Sequence, residues 1–121
     1  MQHVILPNDV DPETAAEEER VCVAAAFAAL GSEARLGIVL RLVRAGPAGM
    51  ATGDLGEAVG IAGSVLTHHL KQLKAAGLVY QRKDGRRILS FVDHEFIENL
   101  SHFLLAECCA DMNALKGHRH G

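Results

Sequence analysis

Two cysteines side by side, Cys108 and Cys109, are the sharpest chemical feature of this 121-residue chain, and Cys22 is the third. Thiolates are soft ligands, and a vicinal pair can chelate a thiophilic ion such as trivalent arsenic or antimony in one small ring. Neighbouring helix positions differ by about 100°, so both sulfurs of such a pair can reach one ion. The pair is badly placed to close on itself. Adjacent Cα atoms stand about 3.8 Å apart, below the roughly 4.4–6.8 Å of an unstrained disulfide. Three thiols so arranged make no disulfide framework, which fits a reducing, cytoplasmic setting. The competing reading is plain packing, because cysteine is also a common small buried hydrophobe.

A second constellation is polar and basic. Ser64, Thr67, His68 and Lys71 recur at i, i+3, i+4 and i+7, on one helix face without an acid. Hydroxyl, imidazole and ammonium groups near a helix N-terminus suit phosphates and base edges in a major groove. Lys83, Arg86 and Arg87 flank Asp84–Gly85, and Asp-Gly is a strong hairpin signal, so these cations are expected on a protruding wing. The net charge of −3 conceals this asymmetry. Residues 1–20 carry six acids against Arg20, whereas residues 62–92 carry six lysines and arginines against Asp84. A basic stretch within an acidic chain is the local footprint that phosphate binding needs. Without the wing, the same helix face reads as an ordinary wetted surface.

The elements that would position these groups follow from periodicity. Pro12 opens a helix to Leu30 with Val23, Phe27 and Leu30 along its stripe, and Gly31 ends it. Ser32 can cap the next, where Leu36, Val39, Leu40 and Val43 mark the inward face. Residues 45–49 read as a loop. Thr52 or Asp54 can cap a short helix through Val59, stopped by Gly60. A helix from about Ala62 to Ala76 follows, with Leu66, Leu70 and Leu73 inward and Gly77 as its stop. Val79–Arg82 and Ile88–Val92 read as strands, and a last helix runs from about Glu95 to Cys109. The expectation is a mainly α (α+β) winged helix-turn-helix with an added helix at each end. It occupies residues 11–111, between an arm (1–10) and a tail (112–121).

Ala29–Leu30–Gly31–Ser32–Glu33–Ala34–Arg35–Leu36–Gly37–Ile38 resembles the opening of the ArsR/SmtB family of metal-sensing repressors. The stretch from Ser64 to Val79, with His69–Leu70, Leu73 and Ala76–Gly77–Leu78–Val79, resembles that family's recognition-helix signature. Thr67 stands where serine is usual, and His68 where arginine is frequent. The resemblance spans about residues 24–109. It implies a homodimer built on the first and last helices, repression at an inverted-repeat operator, and release of double-stranded DNA by an inducer. It also implies a subgroup that senses arsenicals through cysteines near the end of the last helix. In that dimer Cys22 would come near Cys108 and Cys109 as a third ligand, or simply pack. Inorganic As(III) prefers three thiolates, whereas a monomethylated arsenical needs only the pair.

Zinc is not expected. The family's zinc site uses an Asp-x-His pair, whereas here His94 follows Asp93 directly and Glu95 takes the ligand position. His102 lies near the later position, His118 and His120 belong to the tail, and His69 reads as a hydrogen-bonded structural group. A thiol redox or persulfide sensor of the same fold, or a Zn(II)-responsive repressor, is the alternative reading. An enzyme is not expected, since no phosphate cradle, nucleophile elbow or activated-thiol loop appears. The longest apolar run, Val21 to Leu30, is about half a membrane span, so no membrane partner is expected.

Overall fold

The computed structural model describes residues 12–114, and the side chains of 13–106. The order is α1 (Pro12–Leu30), α2 (Glu33–Ala45), a 3-10 turn (Gly46–Ala48), β1 (Met50–Ala51), α3 (Thr52–Val59), α4 (Gly63–Ala75), β2 (Val79–Asp84), β3 (Arg87–Val92) and α5 (His94–Ala114). This is the expected winged helix-turn-helix, mostly helical, with a further helix at each end. The expected arm, and the tail beyond Ala114, lie outside the described residues. α5 itself continues past the expected end at Cys109. No single helix among the described residues is long and apolar enough to cross a membrane.

The core forms where α2, α3 and α4 bring leucines together. Leu42, Leu55, Leu66, Leu70 and Leu73 are buried there with Ile38 and Leu78. The stripe expected on α4 is the one that is buried. On α2 the inward face is Ile38, Val39 and Leu42, while Leu36, Leu40 and Val43 remain about half exposed. Apolar residues on two adjacent faces of α2, between Arg35, Arg41 and Arg44, leave periodicity unable to choose, and packing in the core selects Ile38, Val39 and Leu42. On α1 the fully packed positions are Ala26 and Ala29, with Cys22, Val23 and Leu30 at their margin. Phe27, expected inside, stands 38% exposed. Small side chains let α1 approach closely, and the bulky ring is left outside.

Ser32 caps α2 as expected, its hydroxyl accepting from the Arg35 amide at 3.3 Å. Neither Thr52 nor Asp54 caps α3. Its cap position is Ala51, with no side-chain bond, and the Thr52 hydroxyl instead donates to the Ile88 carbonyl at 3.2 Å. That arrangement follows from β1, a two-residue strand just after the expected loop of residues 45–49, which pairs Met50 with Ser90 and Ala51 with Leu89. The sheet is antiparallel, with β3 between β1 and β2. α4 ends in paired backbone bonds, Gly77 to the Lys74 carbonyl and Leu78 to the Leu73 carbonyl, both 3.0 Å. This is the double closure of a helix running into a strand.

Candidate nucleic-acid interface

The wing is longer than its residues suggest. Asp84 pairs with Arg87 and Lys83 with Ile88, so the loop is only Gly85–Arg86. Gly85 has φ +64° and no non-glycine residue among those described has positive φ. Glycine first and an ordinary residue second is the type II′ hairpin turn. Asp-Gly therefore marks the hairpin but sits one position earlier than a centred loop would have it. Lys83, expected at the tip, belongs to the strand.

The register also sorts the wing's side chains. Val79 and Gln81 share a face with their partners Val92 and Ser90, and Gln81 donates from Nε2 to the buried Ser90 hydroxyl at 3.0 Å. Tyr80, Arg82 and Phe91 lie on the opposite face. There Tyr80 stacks on Phe91 at 5.1 Å between centroids, and the Arg82 guanidinium lies 4.6 Å from that ring's centre. Arg82 thus contributes its charge away from α4.

On α4, Ser64, Thr67, His68 and Lys71 are all exposed. The Thr67 hydroxyl donates to the Gly63 carbonyl at 2.9 Å, one turn back, so its oxygen remains an acceptor. His69 is half buried, but its buried Nδ1 finds no hydrogen-bond partner among the described residues. The expected hydrogen-bonded role is therefore not filled at that nitrogen among the described residues. The His68 and His69 ring centres stand 6.2 Å apart.

Between α4 and the wing lies a cleft of about 580 Å³. It gathers Thr67, Lys71, Arg86 and Arg87 of the expected residues, and adds Lys74, Thr52 and Gly53. Ser64, His68 and Lys83 do not line it. No acid lines it either, so four cations converge on one opening. Lys74 was legible, since it continues the i, i+4, i+7 ridge from Thr67 and Lys71. Thr52 and Gly53 arrive through the β1–β3 pairing, for which the sequence carries no pattern.

The cysteines divide differently. Cys22 is a half-buried free thiol at the core's edge. Cys108 and Cys109 fall in α5, but their side chains lie outside the described residues. No cluster of three or more His, Cys, Asp or Glu side chains among the described residues could hold a metal ion. Asp93 is the N-cap of α5, its Oδ1 accepting from the Phe96 amide at 2.9 Å. Arg35 ties the helices together: its Nε donates to the Ala29 carbonyl at 2.7 Å and its Nη1 to Gln72 Oε1 at 2.6 Å. One guanidinium thus joins the end of α1 to α4.

Comparisons with known proteins agree with this geometry. A helix-turn-helix domain model matches residues 30–82. The chain is 35% identical over 79 residues to the uncharacterised HTH-type transcriptional regulator YceK of Bacillus subtilis, covering 64% of this chain and 78% of that one. It is similar to an ArsR-like transcriptional regulator from Rhodococcus sp. RHA1, with TM-score 0.68, 27% identity, and coverage of 82% and 93% of the two chains. It is also similar to the homodimeric winged helix-turn-helix DNA-binding domain of a possible ArsR-family regulator from Mycobacterium bovis. There the TM-score is 0.62 and the identity 28%, covering 96% and 99%.

Proposed function

The chain belongs to the ArsR family of winged helix-turn-helix transcriptional regulators, and from that premise we propose that it is an operator-binding repressor released by a trivalent arsenical. The observation that carries the DNA reading is the convergence of the acid-free face of α4 with the basic wing around one cleft. Ser64, Thr67, His68 and Lys71 enter the major groove, while Arg86, Arg87 and Lys83 meet the flanking backbone. Two such units, related by a twofold axis, read an inverted repeat in double-stranded DNA.

The pairing surfaces are α1 and α5. Val21 is 70% exposed, and Leu104 and Leu105 are 52% and 57% exposed, a large apolar surface on two helices that only partly touch the core. The inducer reading is supported by the vicinal Cys108–Cys109 on α5 and by the accessible edge position of Cys22 on α1. Soft thiolates suit As(III), methylated As(III) and Sb(III) far better than they suit a hard ion. Zinc has no comparable support, since the Asp93 carboxylate already caps α5. The inducer and DNA sites are separate, so release needs an inducer that prefers the off-DNA dimer. A coupling of about 1–3 kcal/mol weakens operator binding roughly 5- to 150-fold.

Fluorescence anisotropy on the chain's own upstream duplex tests this reading. Wild type is expected to bind and to be released by phenylarsine oxide. C108S/C109S is expected to bind equally and to remain bound. Cys22→Ser should lose response to inorganic As(III) and keep response to the phenyl arsenical if Cys22 is a third ligand. Release of C108S/C109S by the arsenical would overturn the sensor assignment.

A further inference from the structure

We propose that Thr67 is a specificity-determining residue whose hydroxyl oxygen accepts a hydrogen bond from the exocyclic amine of one adenine or cytosine in the major groove. This role rests on the operator-binding reading above and deepens it, from which face meets DNA to what one side chain on that face can tell apart.

The fold sets the polarity of this hydroxyl. A threonine hydroxyl has one proton to give and two lone pairs. The proton is committed, because Oγ1 donates to the Gly63 carbonyl at 2.9 Å. What the exposed side chain offers a ligand is therefore an acceptor. Phosphate and sugar oxygens along the backbone accept as well, so meeting them would break the Gly63 bond to make another, with a net gain near zero. Accepting from an amine keeps the first bond and adds a second. In the major groove only the 6-amino group of adenine and the 4-amino group of cytosine donate, whereas thymine O4 and guanine O6 and N7 accept.

The neighbouring side chains make that polarity distinctive. Lys71, Lys74, Arg86 and Arg87 line the cleft beside Thr67 and carry donors only, which suits phosphates and guanine edges. Gln72 has its carbonyl oxygen taken by Arg35 Nη1 at 2.6 Å. Ser64 and His68 are exposed and make no side-chain hydrogen bond among the described residues, so each can turn to donate or to accept. α4 carries no Asp, Glu or Asn. Among the described residues of its outward face, Thr67 is thus the one whose acceptor character is built in. It also stands one turn into α4, and the N-terminal part of a recognition helix is the part that reaches base edges.

Selection of the full chain's preferred site from a randomised duplex library supplies the probe. Affinity for that site is then measured in a cycle of protein hydroxyl against base amine. Thr67→Val keeps the branched shape and removes the oxygen, Thr67→Ser keeps both the oxygen and its bond to Gly63, and Thr67→Ala serves if valine disturbs the fold. Each adenine in turn is replaced by 2-aminopurine, which moves the amine to the minor groove, and each cytosine by a pyrimidinone without the 4-amino group. All variants meet the same altered duplex, so the difference between them isolates the contact. At one base per half-site, replacement should weaken wild type and Thr67→Ser by roughly three- to tenfold and cost Thr67→Val and Thr67→Ala nothing further. The analogue that does so tells adenine from cytosine. Equal sensitivity of wild type and Thr67→Val at every base would overturn the assignment while leaving the repressor reading in place. So would Thr67→Val weakening all duplexes by one common factor, the mark of a phosphate contact. A wild type that binds no duplex would instead bring down the repressor reading, and this role with it.

Discussion

Between β3 and α5, Asp93 uses its amide and its carboxylate in different directions. The amide donates to the Leu78 carbonyl at 2.9 Å, holding α5 to the start of β2, while Oδ1 accepts from the Phe96 amide. Asp93→Ala should therefore cost about 1 kcal/mol of stability, and Asp93→Asn much less, because asparagine caps as well as aspartate. Urea unfolding of the two variants decides it. The cap at Ser32 was legible because serine stood just before an apolar repeat. At Asp93 the sequence offered only a zinc ligand to set aside, and the cap went unseen, because a capping carboxylate and a ligating one look alike in sequence. Thr52 was misread for a different reason: its hydroxyl is taken by the Ile88 carbonyl 36 residues away, and no local pattern announces such a partner.

Gly49 sets the seat of the wing. Its φ is +64° with ψ −167°, and a Cβ there would stand 2.5 Å from the Phe91 ring and 2.6 Å from the Ser90 carbonyl. Alanine would be strained in backbone and blocked in space, at a cost of about 2 kcal/mol or more. Gly49→Ala should unfold at lower urea and bind DNA more weakly, since Phe91 must shift and carry β3 with it. Equal stability to wild type would contradict the close packing described. At this scale α4 was fully legible, because one leucine stripe meets one polar face. The wing was legible as a hairpin but not in register, since Asp-Gly can serve as the centre or the shoulder of a two-residue turn. β1, two residues long, leaves no period to read. The cleft depends on β1, so the half of the interface contributed by α3 stayed hidden.

At the scale of the whole molecule, apolar surface is spread unevenly. Residues 13–21 of α1 are exposed apart from the half-buried Ala15, and of residues 101–106 in α5 only Phe103 is half buried. Leu104→Asp should place a charge in the surface shared by two copies, yielding monomers in sedimentation and a marked loss of operator affinity. A monomer that still binds the operator tightly would contradict the dimer. The acidic start of the chain and the basic stretch near the wing were both legible, but how the proposed dimer would arrange them is a property of two chains. The two projecting helix segments carry one more consequence. Isolated helical stretches of fewer than about 12–15 residues are marginal in water, so in the proposed dimer each would be held wound by the partner copy. Helicity should then fall on dilution with no denaturant present. If the proposed dimer forms, copy number is itself a folding variable: a cell that makes too little of the chain makes a shorter protein in all but sequence.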